Sequence, residues 1–499
     1  MKLARLAEAA AMDAGAFGEE TVTGFAIDHR KVAPGTVFGA FQGATANGED
    51  FIPAAVAAGA IAVVARPEAA VTGAAHLADP QPRRAFARLA ARFFRPVPET
   101  VVAVTGTNGK TSTVEMTRQI WRMCGHRSAS IGTLGVTTPD ESVSTGLTTP
   151  DIVTFLSNMT GLAREGVTHV AYEASSHGLS QYRNEGLPVA AGAFTNLSRD
   201  HLDYHADMED YFAAKMRLFS EVVSDGGTAV IWADDAWSAQ AAEEARTRGL
   251  RLFTVGEGGA SDAGGIRLLS RSPGHLGQTL EVEHDGRRSR IALPLIGAYQ
   301  AANALVAAGV VLATGGKAEQ AFDALGRLQP VRGRLERAVI TQAGTPVYID
   351  YAHTPDALAA AIEALRPHIA SSPKGRLITV FGAGGDRDAG KRALMGEVAA
   401  ARSELVIVTD DNPRGEDPAA IRQQVLAGAP GAREVGDRRA AIRAAIAEAG
   451  AGDIVLVAGK GHEQGQIVGT GEATRTLPFD DVTVARECAA ELAGVEGAS

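Results

Sequence analysis

The chain reads as an α/β protein in three domains, and three observations carry that reading. First, β-rich runs alternate with alanine-rich helical stretches along most of the sequence, the pattern of mostly parallel sheets packed with helices. Second, 499 residues exceed a single hydrophobic core; at about 150 residues per domain the length suggests roughly three. Third, prolines interrupt the rhythm at Arg95-Pro96-Val97-Pro98 and again at Leu328-Gln329-Pro330. The expected domains are therefore residues 1–98, a smaller α/β unit, 99–329 and 330–499. Inside the second, a Gly/Ser-rich stretch from Gly256 to Gln278 flanks the alternating run Thr279-Leu280-Glu281-Val282-Glu283, which reads as a peripheral hairpin.

Composition limits what these domains can do. Lys and Arg total 48 against 58 Asp and Glu, a net charge of −10 with the charges scattered, so nucleic acid is a poor partner. Two cysteines, Cys124 and Cys488, lie far apart without metal-type spacing and read as core thiols of a reducing compartment. The opening residues MKLARLAEAAAMDAG lack the apolar centre of a signal peptide. The longest apolar run, Pro53 to Ala65, is shorter than the ~20 residues a membrane span needs. The expectation is a cytoplasmic monomer with no membrane insertion and with small molecules as partners.

The central domain opens on a phosphate grip. In VVAVTGTNGKTS, residues 101–112, an apolar strand empties into Gly106-Thr107-Asn108-Gly109 and then Lys110-Thr111-Ser112. Backbone N–H groups of such a turn, the following helix dipole and the lysine all favour anionic oxygens, and Thr111 or Ser112 can offer a hydroxyl to Mg²⁺. The loop is shorter than the usual phosphate-loop spacing, which would place glycine at Val104, and it makes this domain P-loop ATPase-like, with ATP and Mg²⁺ as its cofactors. Two further strand ends follow. Glu173, closing His169-Val170-Ala171-Tyr172-Glu173, supplies a hard oxygen ligand where a nucleotide's Mg²⁺ needs one. The second, Thr195 to His205, is crowded with polar groups, and either His201 or His205 can serve a cation.

The third domain repeats the device three times and reads as Rossmann-like. Glycines and arginines in VFGAGGDRDAGKR (380–392), Asp411-Asn412-Pro413-Arg414 and Gly459-Lys460-Gly461-His462-Glu463 each follow an apolar strand. Carboxyl ends of parallel strands share an edge, so Arg387, Arg414 and Glu463 converge on a ligand bearing both carboxylate and ammonium groups, that is, an amino acid.

Taken in order, TGTNGKTS, EASSHGLSQYR, TNLSRDHLDYH and YFAAKMRLF resemble the Mur ligases, ATP-dependent amide-forming enzymes of peptidoglycan assembly. The resemblance covers all three domains, with Asp28-His29-Arg30 and Pro34 to Phe38 in the first. It implies that Lys110 meets ATP phosphate, that Thr111, Glu173 and His201 hold Mg²⁺, and that Lys215 is the lysine carbamylated in most of these enzymes. A carbamate turns that cation into an oxygen ligand for a second Mg²⁺. Within the family the set resembles the members that add the third peptide residue, and DNPR is the signature of those that add meso-diaminopimelate. L-Lysine-adding members usually lack this arginine, since lysine has no distal carboxylate. The substrates implied are UDP-N-acetylmuramoyl-L-alanyl-D-glutamate, meso-diaminopimelate and ATP.

Residue by residue, the resemblance assigns His29, Thr148, Thr149, Ser175, Gln181 and Arg183 to the UDP-muramoyl dipeptide. It assigns Arg334, Asp350 and His353 to the adenosine side of ATP, and adds Asn303, an asparagine of the family's G-x-x-N-x-x-N pattern, to the cofactor-binding residues alongside the Gly106–Ser112 loop. Arg387, Asp411, Asn412, Pro413, Arg414, Gly459 and Glu463 go to the incoming amino acid. Three positions depart from the family pattern: His29 stands for serine, Gln300 for the first asparagine of G-x-x-N-x-x-N, and Ala393 for a proline.

Overall fold

The computed structural model describes residues 1–8, 10–43, 46–138, 140–143, 148–200, 204–369 and 375–496. By contact the chain divides into two compact units. The first is Met1–Arg267 with His284–Gly286 and Leu305–Ala321; the second is Leu268–Glu283 and Arg287–Ala304 with Phe322–Ser499.

The first unit begins with a four-stranded parallel sheet, Gly24–Ala26, Thr36–Gly39, Ala60–Ala65 and Ala75–Ala78 in that order. Its strands are apolar on both faces because both faces are covered. Val37, Ala62 and Val64 pack with Phe86 and Leu89 of the helix Pro82–Phe93. Phe38, Val63 and Ala65 face the opposite way, with Ile52 and Ala55 of the helix Ile52–Ala57. That sandwiching accounts for the long apolar run noted in the sequence.

In the same unit, six parallel strands run Arg251–Gly256, Val223–Trp232, Val189–Phe194, Thr100–Thr105, His169–Glu173 and Ser128–Gly132. The antiparallel strands Gly135–Thr137 and Ser142–Val143 follow at one side. The phosphate-loop strand Thr100–Thr105 is thus flanked on both sides, buried along nearly its whole length, and continues through the loop into the helix Lys110–Met123. Register pairs Val104 with Glu173 and Thr105 with Phe194, so three polar strand ends come out at one edge.

The second unit contains a six-stranded sheet ordered Glu336–Ile340, Pro346–Asp350, Ile454–Ala458, Leu377–Phe381, Leu405–Val408 and Arg433–Glu434, parallel except for its first pair. Helices Pro355–Ile369, Lys391–Arg402 and Pro418–Gly428 cover one face, through Leu358, Ile362, Met395 and Val425. Helices Arg438–Glu448 and Asp481–Glu496 cover the other, through Ile442, Val482 and Ala485. This is the doubly wound arrangement expected, and its central strand Ile454–Ala458 lies where helices change faces, the usual place for a ligand crevice.

The expected hairpin in the Gly/Ser-rich region is larger than the sequence suggested. Three strands form, Gly265–Pro273, Gln278–His284 and Arg287–Leu293. The last two meet at Asp285-Gly286, both at positive φ (50° and 67°), the backbone a two-residue hairpin turn requires. Of the two thiols, Cys488 is buried as expected, whereas Cys124 is only half-buried at the end of its helix.

Candidate active site

The phosphate loop is braced from beneath by the neighbouring strand end. Asn108 N donates to Asn196 Oδ1 at 2.9 Å, Asn196 Nδ2 donates back to Asn108 O at 3.1 Å, and Thr195 Oγ1 donates to the same carbonyl at 2.6 Å. Ser198 N donates to Thr107 Oγ1 at 3.0 Å. Gly106, at φ 146°, has no room for a side chain: a Cβ there would lie 2.0 Å from Thr195 Oγ1. Gly109, at φ 84°, turns the chain into the helix. Lys110 Nζ donates to the carbonyls of Gly106 (2.9 Å) and Thr107 (2.7 Å), so its amine lies across the loop. Thr111 and Ser112 are buried in the first helical turn.

Two further called residues adjoin the loop. Glu173 is buried, and its carboxylate accepts from Thr133 N at 2.7 Å and Thr133 Oγ1 at 3.3 Å. Lys215 is 1% exposed on the helix Met208–Arg217, donates to Gly106 O at 2.7 Å and lies 4.3 Å over the Tyr211 ring. Burial, and then the Lys110 charge, push its amine well below the ordinary lysine range, against a smaller opposing pull from Asp200. That lowering favours the neutral form of the amine, which is the nucleophilic one.

Beside Glu173 stands a chain of hydroxyls and amides. Thr148 Oγ1 is 3.1 Å from Thr133 Oγ1, Thr149 Oγ1 donates to Glu173 O at 2.9 Å, and Ser175 Oγ is 3.0 Å from Thr149 Oγ1. Arg183 donates to Thr149 O (2.9 Å) and to Gln181 Oε1 (2.7 Å). Five of the six residues called for the dipeptide substrate therefore form one connected group. The sixth, His29, lies elsewhere in the first unit, its ring stacked 4.5 Å from Phe51. His201, called as a metal ligand, falls outside the described residues.

In the second unit the strand ends meet as their register requires. Asp350, buried at the end of Pro346–Asp350, accepts from Leu335 N (2.8 Å) and Ala352 N (2.9 Å), and burial raises its carboxyl above the usual range despite the Arg334 charge. The Arg334 guanidinium lies 4.9 Å over Tyr351, and the His353 ring is 4.5 Å from the same ring. Burial lowers His353, and lowers His462 to about 4. Asn303 Nδ2 donates to Gln300 Oε1 at 3.3 Å while Gln300 Nε2 donates to Arg334 O at 2.7 Å. The departure at Gln300 thus links two residues called for the nucleotide.

The amino-acid residues form a second cluster there. Asn412 Nδ2 donates to Glu463 Oε2 at 2.8 Å, and Arg414, at φ 51°, donates through Nη1 to Gly385 O at 2.9 Å. Gly459, at φ 114°, closes against Asp411: a Cβ would lie 2.6 Å from its Oδ2. Arg387 is exposed at the rim of its loop.

Known protein families match the chain along most of its length. The Mur ligase middle-domain model matches residues 104–311, the Mur ligase glutamate-ligase-domain model 333–461, and the Mur ligase family catalytic-domain model 21–95. The chain belongs to the Mur ligase family. A relative from Zymomonas mobilis, named UDP-N-acetylmuramoyl-L-alanyl-D-glutamate–2,6-diaminopimelate ligase, is 60% identical over 466 residues, 93% of this chain and 94% of its own. One of the same name from Bradyrhizobium diazoefficiens is 54% identical over 460 residues, 92% of this Mur ligase and 93% of the relative. A solved structure of a ligase of that name superposes with a TM-score of 0.74 at 31% identity, covering 98% of this Mur ligase and 99% of the other chain.

Several residues that shape this Mur ligase's candidate site escaped the sequence reading. Thr133, which holds Glu173, follows the strand Ser128–Gly132 in Gly132-Thr133, a fourth strand end whose signal is a single hydroxyl. Tyr211 Oη lies 3.3 Å from Thr107 Oγ1. Arg392, buried within its helix, donates to Glu416 (2.7 and 2.8 Å) and to Gly384 O (3.0 Å), and so ties the GAGGDRD loop to the segment after DNPR. Arg438 pairs with buried Asp481 through two 2.7 Å bonds and donates to Ala458 O at 3.0 Å. Arg392 closes the VFGAGGDRDAGKR run, but its partner Glu416 lies outside every motif, and Arg438 carries none; only the fold brings these partners together. A two-stranded ribbon, Gly465–Val468 with Arg475–Pro478, also went unforeseen, and it bridges to Arg414.

Proposed function

We propose that this Mur ligase uses ATP to join meso-diaminopimelate to the D-glutamate γ-carboxylate of UDP-N-acetylmuramoyl-L-alanyl-D-glutamate, giving the UDP-muramoyl tripeptide. The observation that supports it best is the cluster Asn412, Arg414 and Glu463. It sets a guanidinium and a carboxylate on one strand edge, the complement of an amino acid with a distal carboxylate.

A carboxylate is a poor electrophile, so its oxygen must first become a leaving group. In this reading the γ-phosphoryl group of ATP moves in line onto the γ-carboxylate, forming an acyl phosphate and ADP. The diaminopimelate amine then attacks the carbonyl carbon and phosphate departs, leaving the amide. Lys110 and the N–H groups of residues 106–112 offset the charge on the transferring phosphoryl group. Thr148, Thr149, Ser175, Gln181 and Arg183 hold the muramoyl dipeptide, with His29 toward its nucleotide. Arg334, Asp350 and His353 hold the adenosine side, and Asn303 joins them in binding ATP.

The donor chemistry suits Mg²⁺. Glu173 keeps lone pairs beyond the two Thr133 bonds, Thr111 offers a hydroxyl, and the neutral amine of Lys215 is the form that adds CO₂ to become a carbamate. Thr111, Glu173, His201 and carbamylated Lys215 would hold the ion, which when bound neutralises phosphate charge.

Oxygen-18 placed in the D-glutamate γ-carboxylate tests the sequence of bonds. The expected result is one labelled oxygen in the released phosphate for each amide formed. Amide formation with unlabelled phosphate would overturn the acyl-phosphate reading.

A further inference from the structure

The strand end that carries Glu463 also buries a lysine that the proposed reaction does not use. Lys460 is 0% exposed, two residues beyond the strand Ile454–Ala458. Its Nζ donates to Asn412 Oδ1 at 2.9 Å and to Glu463 Oε2 at 3.3 Å. Burying an ammonium group is costly unless charge and hydrogen bonds match it, so these two partners are what make the position tenable.

The consequence lies in what those bonds do to the partners. Asn412 Oδ1 accepts from Ile467 N, at 2.9 Å, as well as from Lys460. Both lone pairs of that oxygen are therefore occupied by donors, and the amide has one allowed orientation: turned over, its NH₂ would face an ammonium group and a backbone N–H. In the allowed orientation Nδ2 donates to Glu463 Oε2 at 2.8 Å. Oε2 thus takes two donors from within the protein. Oε1 accepts no hydrogen bond among the described residues, on a side chain 33% exposed.

We infer that Lys460 is a positioning residue for the amino-acid substrate. It acts through Asn412 and Glu463, fixing which amide hydrogen and which carboxylate oxygen face a ligand that carries both a carboxylate and an ammonium group. The inference rests on the reading of this strand edge as the amino-acid site.

Steady-state kinetics of the full chain test it, using wild type, Lys460→Met, Glu463→Gln and the double variant, with KM measured separately for meso-diaminopimelate and ATP. Lys460→Met keeps the packing and removes the charge. It is expected to raise the diaminopimelate KM about ten- to a hundredfold, the loss typical of a charge-assisted contact, and to leave the ATP KM unchanged. In the Glu463→Gln background the same substitution should change that KM far less, because the carboxylate it sets is gone. Lys460→Gln, which retains neutral N–H donors, should fall between wild type and Lys460→Met; it also serves if the methionine variant does not fold. An unchanged diaminopimelate KM in the Lys460 variants, equal rises for both substrates, or independent multiplication of the two substitutions would overturn the inference. Wild type that fails to use diaminopimelate, or Glu463→Gln that binds it as well as wild type, would overturn the site reading and the inference with it.

Discussion

Lys215 is the residue whose chemistry the fold changes most. On an exposed helix its amine would be a cation; here burial and the neighbouring Lys110 depress it well below the ordinary range. The ammonium form is thus disfavoured in the folded chain relative to the unfolded one. That cost applies below the ordinary lysine value of 10.5 and grows as pH falls toward the lowered one. Lys215→Met removes it. Against uncarbamylated, metal-free wild type the variant is expected to melt higher at neutral pH, by about 2–4 °C for each kcal/mol recovered, and to lose ligation. A variant that ligates normally, or that melts lower, would contradict this account. That environment has no local signature: YFAAKMRLF alone reads as a surface helix, and only family likeness singles out its lysine. Glu173 was more legible, since a carboxylate ending an apolar strand has few structural uses. Its holder Thr133 was not, because one hydroxyl beside a glycine carries no chemical signature.

At the scale of elements, glycines decide how closely the loops approach. A Cβ on Gly106 would lie 2.0 Å from Thr195 Oγ1, and one on Gly385 would lie 1.9 Å from Pro413 O. Gly106→Ala is therefore expected to deform the phosphate loop, at about 1–3 kcal/mol of strain, and to raise the ATP KM. Gly385→Ala should push GAGGDRD away from DNPR and raise the diaminopimelate KM instead. The two effects are separable by measuring both constants in both variants; a shared effect on both substrates would mean global damage rather than local displacement. Strand ends were the most readable part of the sequence, since apolar runs followed by glycine and charge mark the carboxyl edge of a parallel sheet. The braces were hidden. Arg392 to Glu416 and Arg438 to Asp481 join residues 24 and 43 positions apart, which no local pattern can pair.

On the scale of the whole molecule, both units of this Mur ligase are α/β, as the alternation of β-rich and alanine-rich runs implied. The residues called for the phosphates and the muramoyl dipeptide all belong to the first unit. Those called for adenosine and the amino acid belong to the second. Among the described residues no helix is long and apolar enough to cross a membrane. The runs that looked most hydrophobic, such as Ala60–Ala65, are strands covered on both faces. Central to this account is that the chain is a ligase whose strand edge reads the distal carboxylate of its amino acid. The most direct measurement is phosphate release with the UDP-muramoyl dipeptide and ATP, comparing meso-diaminopimelate with L-lysine, with the product identified by mass and Arg414→Ala run beside wild type. The expected result is tripeptide formed with diaminopimelate, little with L-lysine, and loss of the diaminopimelate reaction in Arg414→Ala. Equal turnover of L-lysine, or an Arg414→Ala variant as active as wild type, would contradict it.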